Sequence, residues 1–62
     1  MNVKEIKQAV EAGDAEAQYQ IAGMYDEGRG VKQDEVLARH WWSRATELGC
    51  EESKLELEEK QK

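Results

Sequence analysis

The chain has 62 residues, which makes one small domain and excludes a multi-domain enzyme. Leu, Ile and Val number ten and Phe is absent, so seven Ala, two Trp and two Tyr must complete a marginal core. Fourteen acidic residues against nine basic ones, a net charge of −5, disfavour direct contact with nucleic-acid phosphates, and a single cysteine excludes an internal disulfide.

Proline is absent, and glycines at 13, 23, 28, 30 and 49 punctuate the chain. Between them the apolar spacing is helical, with no strand-like alternation. Val3, Ile6, Ala9 and Val10 fall on one face of a helix over 2–12, and Gly13 stops it. Asp14 is a good N-cap for a second helix over 15–27, whose core stripe is Ala17, Ile21, Ala22 and Tyr25. Gly28-Arg29-Gly30 breaks that helix, because a glycine on either side permits positive φ. Asp34 caps a third helix over 35–48. Its expected stripe is Leu37 or Ala38, then Trp41 and Trp42, then Ala45 and Leu48, with Trp41 the more central of the two indoles. Gly49 ends it, and Cys50-Glu51-Glu52 opens a fourth helix with acids correctly placed against the dipole. Residues 53–62 carry only Leu55 and Leu57 as apolar side chains and are expected to fray.

Shifted by 36 residues, the chain partly matches itself. Ala9, Glu11 and Gly13 lie over Ala45, Glu47 and Gly49, and Ile6 over Trp42. Further along, Ala17 lies over Ser53, Tyr19 over Leu55 and Ile21 over Leu57. A helix pair recurring at such a period is the sequence pattern of a solenoid.

Gly13-Asp14-Ala15-Glu16-Ala17-Gln18-Tyr19 resembles the opening of a Sel-one-like repeat, a relative of the tetratricopeptide repeat. The resemblance continues through Ile21-Ala22, Met24-Tyr25, Gly28-Arg29-Gly30-Val31 and Gln33-Asp34 to Ala38, Trp41-Trp42, Ala45 and Gly49. Ala22 stands where the family usually has Gly, which still permits close helix contact, and Arg39 and His40 depart from the usual residues. Cys50 has no mate, which excludes the variant braced by a cysteine pair. The resemblance implies an all-α fold, an α-solenoid fragment of four short helices forming one domain over 1–62. Residues 2–12 would be an N-terminal cap, 13–49 the repeat and 50–62 a C-terminal cap.

Chemistry of other kinds fails on inventory. Zinc requires about four ligands at defined spacing, and His40 and Cys50 form no paired motif. Gly28-Arg29-Gly30 lacks the Lys-Ser/Thr of a nucleotide loop and reads as a turn. Ser43, Ser53 or Cys50 would have to be served by His40, the only histidine, with no third group to orient it. No catalysis, metal or cofactor is expected. Met1–Lys7 lacks the apolar core of a signal peptide, and no run approaches the about 20 apolar residues of a membrane span. The expected compartment is the cytoplasm.

The resemblance implies a protein-binding adaptor whose first helix in each pair lines a concave face. The inward positions would be Glu16, Tyr19, Gly23, Asp26 and Glu27, and the 36-residue shift adds Glu52, Leu55 and Glu59. Such an acidic groove suits a basic peptide or protein surface, with the carboxylates steering and Tyr19 anchoring. The alternative is a small acidic stand-alone inhibitor, of phage or plasmid anti-defence type, blocking a nucleic-acid-binding enzyme complex. A third expectation is a homo-oligomer formed through exposed end helices bearing Val3, Leu55 and Leu57.

Overall fold

The structure is a computed structural model, and it describes residues 3–60. They form α1 (Val3–Glu11), α2 (Ala15–Glu27), α3 (Glu35–Glu47) and α4 (Glu51–Lys60), with no strand among the described residues. Each helix packs chiefly on the next, giving an all-α solenoid fragment of 31 × 24 × 15 Å.

Local chemistry sets the boundaries. The Asp14 carboxylate accepts the Ala17 amide at 3.2 Å, and the Asp34 carboxylate accepts the Leu37 amide at 3.1 Å. Each cap satisfies a donor that the first helical turn leaves unpaired, which is worth about 1 kcal/mol. The stops repeat as well. Asp14 donates to the Ala9 carbonyl at 3.1 Å and Cys50 to the Ala45 carbonyl at 2.9 Å, each across a left-handed glycine, Gly13 or Gly49. The pairs are 36 residues apart, so the internal match of the sequence is also a match of backbone geometry.

The exit from α2 is built differently. Gly28, at φ 71°, lets the Met24 carbonyl accept both its own amide and that of Arg29, at 2.7 and 3.0 Å. The Tyr25 carbonyl then receives the Asp34 amide at 2.9 Å, and Gln33 Nε2 donates to the Asp26 carbonyl at 2.8 Å. The turn between the two long helices is thereby pinned at both ends.

The core has two parts. Ile6 and Val10 of α1 meet Ala17 and Ile21 of α2, while Ala22, Ala38 and Trp42 join α2 to α3. Tyr25 and Trp41 are half-buried and pack against both groups, which makes the core continuous. Ala22 and Ala38 are fully buried, and their short side chains allow the close approach of α2 and α3.

The structure revises several sequence expectations. Trp42, only 3% exposed, is the core indole, and Trp41 is the half-buried one. Ala38 and Ala45 leave both indoles at allowed spacings, and the line to α2 and α4 passes through position 42. Leu48 is 54% exposed because it follows the last turn of α3, where the chain has left the packed face. Tyr25 borders the core instead of lying within it. The segment expected to fray is continuous helix through Lys60, and residues 61–62 lie outside the described part. Fully buried Ser53, Leu57 against the Ala22–Ala38–Trp42 group and a Lys60 ion pair hold it.

Candidate protein-binding groove

Residues 16, 20, 23 and 27 recur at spacings of four, three and four, and so form one stripe along α2. The middle and C-terminal part of this stripe lines a groove of about 630 Å³. Tyr19, Gln20, Gly23, Asp26 and Glu27 of α2 form its wall, with Glu56 of α4 facing them and Trp42 contributing from α3. Arg29 at its end is an exposed partner of Glu27, at 3.4 Å. A second hollow of about 390 Å³ adjoins it through Tyr19 and Gln20 and reaches Glu16, Leu48, Cys50 and Glu52.

Tyr19 therefore stands where the two hollows meet. Its phenol is held above the ordinary value of 10.0, first by burial and then by the nearby carboxylates of Glu56 and Glu52. Asp26 is half-buried, and its Oδ2 accepts from Lys60 Nζ at 3.2 Å, across 34 residues of sequence. That contact raises the Lys60 pKa, the hydrogen bond being the larger cause and the Asp26 charge the next. Under it lies a third, smaller hollow of about 150 Å³, lined by Asp26, Glu35, Arg39, Trp42 and Lys60.

Two buried polar atoms lack partners among the described residues, Gln18 Oε1 and Trp42 Nε1. His40 is exposed, with its ring edge-on to Trp41 at 5.0 Å. Cys50 Sγ accepts from Ser53 Oγ at 3.4 Å. Among the described residues no three of His, Cys, Asp and Glu converge as metal ligands would.

Of the residues singled out from the sequence, Tyr19, Gly23, Asp26 and Glu27 line the main groove. Glu16 and Glu52 line the adjoining hollow, again with Tyr19. Leu55, 59% exposed, and Glu59 line neither. Leu55 occupies Tyr19's place in the repeat. Of the three side chains proposed for pairing between chains, Leu57 turns inward, and that of Val3 lies outside the described part. Gln20 and Glu56 were missed. They are 36 residues apart, and completing the 16–20–23–27 stripe before applying the shift finds both.

Paired helices with a shared stop geometry and a groove on the first helix of each pair are the anatomy of a helical interaction repeat. The Sel1 repeat family model matches residues 15–50. The chain belongs to the Sel1 repeat family. No curated protein and no solved structure matches it. Sel1 repeats are protein–protein interaction modules, and that is the class of function this chain has. No helix among the described residues is long and apolar enough to cross a membrane.

Proposed function

We propose that this Sel1 repeat chain binds a basic peptide or basic protein surface in the groove between α2 and α4. The observation that carries the reading is Tyr19, an aromatic ring at the junction of two hollows with Glu52 and Glu56 acting on its phenol. An aromatic face bordered by carboxylates favours a cation, because quadrupole and charge attract it together. Glu16, Asp26, Glu27 and Glu52 steer the partner, Tyr19 anchors it, and Gly23 lets its backbone come close. Leu55 extends the contact along the exposed flank of α4.

A hexa-arginine peptide titrated into the chain tests the reading through indole fluorescence. Binding that weakens at least tenfold between about 50 and 500 mM salt, and is lost in Tyr19→Ala/Glu16→Lys, supports it. Affinity indifferent to salt or to the double substitution sinks it. Capture from a lysate then separates adaptor from inhibitor. A partner that nucleic acid displaces from the groove places the chain among inhibitors of nucleic-acid-binding enzymes, and one that it does not displace leaves an adaptor.

A further inference from the structure

We infer that Asp26 is the cation subsite of the groove and that the chain fills it with its own Lys60, which a partner must exchange for an arginine. This rests on the groove reading above. Asp26 is the carboxylate shared by the main groove and the small hollow, and Lys60, which lines the small hollow, is held by it. It is held by one oxygen, Oδ2, at 3.2 Å, and it comes from the last described turn of α4. An ammonium in that position is a single-point ligand. A guanidinium presents two parallel N–H donors to the same carboxylate, which makes it the stronger occupant of a half-buried acid.

A second, independent feature points the same way. Trp42 borders both the groove and the small hollow, and its Nε1 is buried with no acceptor among the described residues. A buried donor without a partner costs free energy that an incoming carbonyl recovers. Lys60, Asp26 and Trp42 line the same small hollow, so an arginine that replaces Lys60 enters beside this indole. The partner is thus an extended segment carrying arginine, and Lys60 sets the threshold it must exceed.

Hexa-arginine binding to the full chain is compared among wild type, Lys60→Gln, Lys54→Gln and Asp26→Asn. Lys54 is exposed on the same helix and makes the same change in net charge. Lys60→Gln is expected to bind about 2- to 5-fold more tightly than wild type, and more tightly than Lys54→Gln. In the Asp26→Asn background Lys60→Gln should do no more than Lys54→Gln does. Equal effects of the two lysine substitutions in the wild-type background overturn the exchange, even where Tyr19→Ala still abolishes binding. Hexa-lysine binding as tightly as hexa-arginine overturns the preference for arginine. If Tyr19→Ala binds as wild type does, the groove reading itself has failed.

Discussion

The Asp34 amide donates to the Tyr25 carbonyl at 2.9 Å, tying the cap that starts α3 to the last turn of α2. This closure depends on Gly28. A Cβ there would have to adopt φ 71° and would meet Gln33 Cβ at 3.1 Å. Gly28→Ala is expected to cost about 1–3 kcal/mol in urea denaturation. A variant as stable as wild type would show that the turn tolerates another path.

The two indoles should separate cleanly. Trp42→Ala empties the contact with Ala22 and Ala38 and is expected to cost about 3–5 kcal/mol, enough to unfold so small a chain. Trp41→Ala should cost at least about 1 kcal/mol less. Circular dichroism melts of the two variants check the order, and the reverse order would restore Trp41 to the centre.

Ser53 is fully buried at the repeat position of Ala17. Ser53→Ala, which copies the α2 residue into α4, should change stability by less than about 1 kcal/mol. Ser53→Leu overpacks the same contact and should cost about 1–3 kcal/mol. Equal tolerance of both would mean that α4 is not seated on α3.

Gln18 is buried with its Oε1 unpartnered. Gln18→Met keeps the shape and removes the unsatisfied oxygen, so it should be neutral or stabilise by up to about 1 kcal/mol. A loss of stability in thermal unfolding would reveal a bridging partner for that oxygen.

Tyr19 makes alkaline stability a readout of the groove. Its phenol binds the proton more tightly folded than unfolded, because burial and the Glu56 and Glu52 charges oppose ionisation. The resulting stability is complete below the unfolded value of 10.0 and is lost as pH rises through the higher folded value. Tyr19→Phe should therefore lose less stability than wild type above about pH 10. Identical alkaline melting profiles would place the phenol outside the influence of α4.

What the sequence made legible was local. Asp14 and Asp34 cap, and the glycines stop, through bonds within five residues, so composition and spacing suffice to place them. The choice between Trp41 and Trp42 was not local, because both spacings suit a helix and only the approach of α2 and α4 selects one. Glu56 was hidden for a different reason. Its partner position, Gln20, is neutral and polar, and gave no sign of facing a groove. The Lys60–Asp26 contact depends on where α4 ends relative to α2, and nothing in either segment alone announces it.

The fully buried Ala22 marks the contact by which α3 docks on α2. Its counterpart 36 residues on is Glu58, exposed on α4. Any helix docking on α4 as α3 docks on α2 would have to bury that carboxylate, at a cost of several kcal/mol. The exposed Glu58 thus sets a cost on packing a further helix against this face of α4, and Glu58→Ala is expected to remove it.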